Sequence, residues 1–307
     1  MYADDTTAYS FSNDSLEYVT RDFHDKLSDL LVWCKYNQMT INWSKTKIMF
    51  LTKKHVVFPD HVIIDGSKVE VVHSFKLLGC FIDDKLSFTD HIQHIKSSVH
   101  IKLNCLSRLT FLSNEVKLQF FKSFILPHFD YCLSLSIYYS KSQIDQLEKL
   151  YNYCLFKLCH IKLNQEYLST RVDKNGKRIT KLGFSPLNLD SQLAILGKFN
   201  LMPFKMRIFY RLSLFSYKIL NKQFLVNIFD SVAFVAQETN DKHRSQYYSY
   251  CNMPRWSTYA GMKRLSYFLP NFVNVVIKHT YTSKLSDYKL YILKNFKNLY
   301  NNFCQIF

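Results

Sequence analysis

The feature that most constrains this chain is a change of hydrophobic period near Asp90. Before it, short apolar runs are punctuated by turn residues. After it, apolar residues recur every three to four positions, which is the spacing of a buried helical face. "HVIIDGSKVEVV" is the clearest β signal, two β-rich arms around Asp65-Gly66. Ile48–Leu51 reads as a buried strand, and "FKLLGCFI" as another, ended by Asp83-Asp84. One helix precedes them over residues 15–36, with Leu16, Val19, Phe23, Leu27, Leu30, Leu31 and Cys34 on one face and Asn13, Asp14 and Ser15 as cap candidates.

Beyond the switch, Ile92, Ile95, Val99, Leu103, Leu106 and Leu109 mark one helix. A second runs from Asn114 to about Leu126, where Pro127 is expected to stop it. A third spans Gln143 to about Ile161, with Ile144, Leu147, Tyr151, Cys154, Leu155 and Leu158 inward. Residues 171–181, "RVDKNGKRITK", read as a hairpin tip or loop. Helical pattern returns over Leu189–Asn221, residues 236–264 are polar and irregular, and Ser283 to Phe303 reads as a basic helix. Gly and Pro number only 6 each, which disfavours a turn-dense all-β fold. The expected class is α+β, with short hairpins plus one helix followed by a mostly helical remainder. Three regions are expected, 1–88, 89–165 and a basic helical 166–307.

The charge is uneven along the chain. Residues 1–100 hold 11 Lys and Arg against 13 Asp and Glu, whereas residues 101–307 hold 29 against 11. A basic remainder suits a polyanion partner, because cations displace condensed counterions from phosphate backbones. A coding bias toward Lys, which outnumbers Arg 31 to 9, would produce the same excess with no binding role. The eight Cys form no CxxC pair and fall mostly within apolar periodic segments, as reduced core thiols do. The polar, acidic start reads as no signal peptide. The longest nearly uncharged stretch, Ser123 to Ser140, contains Pro127, His128 and Asp130 and reads as buried helix and turn, not a membrane span. An intracellular protein of the nucleus or cytoplasm is expected, with no membrane partner.

Tyr2-Ala3-Asp4-Asp5 is the sharpest chemical signal. Two adjacent carboxylates at a hairpin tip can hold the divalent metals that nucleotidyl transfer needs, one activating the nucleophile and one neutralising the leaving pyrophosphate. The same pair could instead cap the following helix. Its companions follow in order: "WCKYNQMTINWSKTKIMF" from Trp33, "FKLLGCFIDDKLSFTDHI" from Phe75, "KSFILPHFDYC" from Lys122 and "LEKLYNYCLFKL" from Leu147. "YAGMKRLSYFLPNFVNVV" from Tyr259 and "SKLSDYKLYILKNF" from Ser283 complete the set. In this order they resemble the back half of the reverse transcriptase of non-LTR, LINE-like retrotransposons. The Tyr-x-Asp-Asp box, the Asn42-x-x-Lys45-Thr46 box and the Leu78-Gly79 box carry most of the specificity.

The resemblance implies an RNA-directed DNA polymerase that uses Mg²⁺, with an RNA template and a DNA primer as partners. It implies a truncated palm followed by a thumb and a C-terminal helical region. Asp4 and Asp5 would be the metal-binding pair, with Tyr2 and Ala3 beside the primer terminus and incoming nucleotide. Lys45 would protonate the leaving pyrophosphate, or stabilise its charge. Gly79 would lie in the primer-grip hairpin, and Lys96, Lys102 and Arg108 would track the template–primer backbone. Each of these cations could equally be a solvated surface side chain. The palm's third carboxylate and the fingers would precede residue 1, so the chain alone is expected to be inactive. The rival readings are a non-catalytic basic nucleic-acid-binding module, a helical interaction protein, or the product of a decayed element.

Overall fold

The structure is a computed structural model of the chain, and it describes residues 5–10, 16–52, 56–172, 178–220, 265–274 and 284–306. The chain divides into two compact units, Met1–Phe75 and Lys76–Phe307. This division follows packing rather than the expected boundary after residue 88. Residues on both sides of 165 share the core of the second unit.

In the first unit, α1 (Leu16–Tyr36) takes its amphipathic face as the spacing predicts, although of its described side chains only Cys34 is fully buried. β1 (Lys47–Ile48), β2 (His61–Ile64) and β3 (Ser67–Val71) form a sheet in the order β1-β3-β2. β2 and β3 are antiparallel around Asp65-Gly66, both with positive φ (48° and 72°), the conformation that Asp-Gly favours in a two-residue hairpin. β1 runs parallel to β3, with Lys47 opposite Glu70 and Ile48 opposite Val71. The strand expected over 48–51 is thus only Lys47–Ile48. β3 ends at Val71, and the ladder closes with Val72 N–H donating to Ile48 O at 2.8 Å.

β4 (Ser74–Leu77), within which the second unit begins, pairs with β5 (Cys80–Asp83). The single strand expected across "FKLLGCFI" is therefore a tight hairpin. Leu78 and Gly79 turn it with φ 47° and 84°. The Asp83 carboxylate then accepts N–H groups of Lys85, Ser87 and Phe88 at 3.1, 2.8 and 2.6 Å. That knot lets Phe88 adopt φ 57° and launch α2 (Thr89–Ser107). α2 buries Ile92, Ile95, Val99 and Leu103 of the predicted face, with His91 beside them, while Leu106 is half-buried and Leu109 lies past the helix end.

Pro127 does not stop the next helix. α3 (Asn114–Phe120), capped by Ser113, runs into a π-helical turn at Phe121–Ile125 and then α4 (Leu126–Asp130). Leu126 N–H reaches back to Phe121 O, five residues away. The wider turn removes the need for the N–H that Pro127 lacks and opens the space its ring requires. After a 3₁₀ turn at Leu133–Tyr138 comes α5 (Lys141–Cys159), which begins on a capping box. Gln143 N–H donates to Ser140 Oγ at 3.2 Å while Ser140 N–H donates to Gln143 Oε1 at 2.7 Å. His160, at φ 56°, ends it.

Beyond α5, β6 (Asn164–Val172) and β7 (Arg178–Pro186) form an antiparallel hairpin whose nine-residue arms were not expected. The helical pattern from Leu189 is two helices, α6 (Leu189–Gly197) and α7 (Phe204–Leu220), parted at Asn200 (φ 52°) and Pro203. α8 (Leu265–Phe272) follows. The basic helix expected over 283–303 is α9 (Leu285–Lys294) and α10 (Phe296–Ile306), separated at Asn295. The irregular segment expected over 236–264 lies outside the described residues.

Aromatic rings fill the centre. Tyr151 on α5 meets Phe121 and Phe129 edge-on at 5.7 and 5.5 Å and donates its hydroxyl to Met202 O at 2.9 Å. Phe209 on α7 meets Phe272, Phe296, Tyr300 and Phe303, which ties α8 and α10 to the same core. Arg207 on α7 grips the Asp130 carboxylate with Nε, at 2.9 Å, and Nη2, and Arg211 adds a 3.2 Å contact. Among the described residues no helix is long and apolar enough to cross a membrane. The seven described cysteines carry no disulfide.

Candidate nucleic-acid interface

The residues singled out in the sequence fall in both units. In the first, Tyr2, Ala3 and Asp4 lie outside the described residues, so of the acidic pair only Asp5 is placed. It is exposed, in an isolated bridge. Asn42 organises the box that contains Lys45. Its Oδ1 accepts from Ser44 Oγ at 2.7 Å and from Lys45 N–H at 3.3 Å, and its carbonyl accepts from Thr46 Oγ1 at 2.9 Å. This is an Asx-type knot that shapes the backbone and leaves Lys45 exposed. No hydrogen bond or ion pair joins Asp5 to Lys45. A shallow cleft nearby is lined by Trp43, Ser44, Asp60 and His61 and by the Lys47–Glu70 ion pair (2.6 Å). Among the described residues, no three His, Cys, Asp or Glu side chains are grouped as metal ligands.

In the second unit, Gly79 sits at the tip of the β4–β5 hairpin. A Cβ there would lie 3.4 Å from the Tyr131 ring, and the Tyr131 hydroxyl donates to Leu78 O. The hairpin tip is therefore clasped by the residue that follows α4.

Lys96, Lys102 and Arg108 are not brought together. Six-residue steps on a helix of 3.6 residues per turn place them roughly 120° apart around α2. Lys96 donates to Gln146 Oε1 at 3.1 Å, and Lys102 lies against His128 Nε2. Arg108 projects past the helix end, exposed. Burial, then the Lys102 ammonium and then His94, hold the His128 imidazole below its usual range. Four more cations are already paired. Lys205 meets Asp145 and Glu148 at 3.0 and 2.9 Å, Arg207 and Arg211 share Asp130, and Lys297 meets Asp190 at 2.8 Å.

What the charge count overlooked is the outward face of α5. Lys149, Tyr153, Phe156 and Lys157 are all exposed, and their spacing gathers them within about a third of a turn, with exposed His160 just past the helix end. Tyr153 and Phe156 are 46% and 45% exposed, which makes them available for stacking beside two unpaired ammonium groups. The signal was in the sequence. The same "LEKLYNYCLFKLCH" stretch that gives the buried face carries this second period on its other side.

No family model matches the chain, and no curated protein or solved structure is similar enough to count as a relative.

Proposed function

We propose that the chain carries the grip hairpin, thumb and C-terminal region of an RNA-directed DNA polymerase of the non-LTR retrotransposon kind, and that its role is to hold the template–primer. In this reading Asp4 and Asp5 serve Mg²⁺-dependent nucleotidyl transfer, and Lys45 serves the leaving pyrophosphate. The observation that carries the reading is the tight Leu78-Gly79 turn. It stands where the resemblance puts the primer grip and leads directly into a helical body. The α5 face supports it with aromatic and basic side chains interleaved, the combination that stacks bases and neutralises phosphates.

The test is fluorescence anisotropy of the full chain with a labelled RNA–DNA template–primer across a salt series. If about five phosphates are neutralised, log K falls against log[salt] with a slope near −4. Lys149→Ala and Lys157→Ala should each reduce that slope by about 1 without changing sequence preference. Tyr153→Ala should weaken binding to a single strand more than to a duplex. A wild-type slope in both lysine variants would overturn this assignment of the interface.

A second reading, a helical interaction module, is favoured by the internal pairing of Lys205, Arg207, Arg211 and Lys297. It expects no more affinity for the template–primer than an unrelated basic protein of equal charge has.

A further inference from the structure

Two side chains able to carry positive charge meet across two helices. Lys102 on α2 points its ammonium at Nε2 of His128 on α4, 2.5 Å away. An ammonium only donates, so Nε2 accepts and the ring is neutral, with its proton on Nδ1. Both side chains are half-buried and open to solvent. His94 of α2 lies near enough to His128 to feel its charge. Its ring packs on Phe81 of β5 with centroids 5.1 Å apart, and Lys76 Nζ of β4 lies 5.6 Å from the centre of the same Phe81 ring. Lys76, His94, Lys102 and His128 thus gather beside the Leu78-Gly79 hairpin.

The carboxylates of the surrounding elements are committed elsewhere. Asp83 on β5 holds the backbone N–H groups of Lys85, Ser87 and Phe88. Asp130 on α4 holds Arg207 and Arg211, and Asp145 and Glu148 on α5 hold Lys205. Among the described residues, Asp90, one turn before His94, makes no ion pair with it, and the π turn adds only Lys122. His91, buried on α2, feels the charge of His94.

We propose that Lys102 and His128 form a phosphate-binding site that takes up a proton together with its ligand, with His94 and Lys76 as supporting positive charge. Once protonated, His128 turns an N–H toward the Lys102 ammonium, and two donors then face each other. A phosphate oxygen between them accepts from both. Burial, then Lys102 and then His94, disfavour that protonation in the free chain and hold His128 below its usual range. A phosphate anion offsets both charge effects, so ligand and proton bind together. The proton comes from solvent to Nε2, and no covalent bond is made or broken. Under the polymerase reading, on which this identification of the ligand rests, the phosphate is a backbone diester of the template–primer beside the grip hairpin. A free phosphate presents the same oxygens.

Exchange of the histidine C2 hydrogen, read by peptide mass spectrometry, gives each ring its own midpoint. The tryptic peptide from Ser123 to Lys141 holds His128 and no other histidine. In the full chain at constant ionic strength, replacing chloride by inorganic phosphate should raise the His128 midpoint by about one pH unit, and saturating RNA–DNA template–primer should do the same. Lys102→Met should raise the midpoint in chloride and largely abolish the further rise with phosphate. A His128 midpoint that neither phosphate nor bound template–primer moves would overturn the proposal. The polymerase reading survives that result if the template–primer still binds with the expected salt slope. A midpoint that phosphate moves, in a chain that the template–primer does not bind, keeps the site and removes that reading. A midpoint that moves with phosphate but not with bound template–primer keeps the site and assigns it to a small phosphate ligand. An equal rise at exposed His160 would mark general charge screening and overturn the proposal. The wild-type midpoints decide the matter even where Lys102→Met fails to fold.

Discussion

The two units solve the problem of stability in different ways. Among its described residues the first buries only Cys34 and Val69 of its apolar side chains, and leaves Val57 99% and Tyr36 87% exposed. Its shape rests on local devices, the Asn42 knot, the Asp65-Gly66 turn and a sheet with a two-residue strand. The second unit has one continuous core from Cys80 to Phe303. The contrast bears on function, because precise sites need side chains locked by packing around them. Lys45 and Asp5 stand on the lightly packed unit. The hairpin clasped by Tyr131 and the outward face of α5 stand on the densely packed one.

The largest effect that can test this contrast is at Tyr151. Its ring meets three phenylalanines and its hydroxyl is satisfied, so Tyr151→Ala is expected to cost about 4 kcal/mol. Val69→Ala, at the most buried position of the first unit, should cost about 2 kcal/mol or less, because it removes far fewer contacts. Native-state hydrogen exchange reads both. Tyr151→Ala should lower protection across α2, α5 and α7 together, and Val69→Ala only across β1–β3. Equal losses everywhere would mean that the chain unfolds as one body and that the contrast has no energetic content.

The next effect is at Asp130. Its carboxylate and Arg207 are only 17% and 15% exposed, so Asp130→Asn leaves two guanidinium groups short of an anion at the α4–α7 contact. About 2 kcal/mol is expected by chemical denaturation, below the range for a fully buried pair because water still reaches this one. Arg211→Ala should cost much less, since that side chain is 45% exposed.

A smaller effect depends on pH. His91 is buried on α2 with neither ring nitrogen hydrogen-bonded, and burial, then His94, hold it below its usual range. A base depressed in the fold is neutral in both states above about pH 6.5. Below that the unfolded chain binds the proton first, so stability falls as pH drops toward the folded value and then levels off. His91→Leu removes this loss and the unpaired nitrogens. It should raise stability at pH 5 by about 1 kcal/mol, and by less at pH 8. A gain independent of pH would assign the effect to packing alone.

The same contrast explains what the sequence made legible. α2 and α5 were readable because their inward residues obey one period over five turns, and Asp65-Gly66 because a turn chemistry stands between two alternating arms. Leu78-Gly79 was hidden by apolar neighbours on both sides, which read as one continuous strand. β6 was hidden because "NQEYLSTRV" has no apolar alternation. Pro127 misled because a π turn relieves the clash that normally ends a helix, and no local residue announces one. The Asp130–Arg207 pair and the Tyr131–Leu78 clasp join residues far apart in the chain, which periodicity cannot see. For the candidate site, charge and the resemblance point to Lys96, Lys102 and Arg108. Their six-residue steps around α2 argue against a shared face.

The smallest effect is a difference between two similar turns. Gly66 and Gly79 have φ 72° and 84°, so any side chain there meets left-handed strain of roughly 1 kcal/mol. A Cβ on Gly66 would meet open space, whereas one on Gly79 would just touch the Tyr131 ring at 3.4 Å. That distance is ordinary van der Waals contact. Gly66→Ala and Gly79→Ala should therefore cost the same to within a few tenths of a kcal/mol, despite the different packing of the two units. Valine separates them. Its added methyl groups remain in solvent at Gly66 but press on Tyr131 at Gly79, and the ring can yield only by giving up its hydrogen bond to Leu78 O. Gly79→Val should then cost about 1 kcal/mol more than Gly66→Val. It should also make the Leu78–Phe81 amides exchange faster, while the corresponding change at Gly66 stays confined to its own turn. Equal costs for the two valine variants would show that Tyr131 does not hold the hairpin, and the clasp would then be a contact without energetic weight.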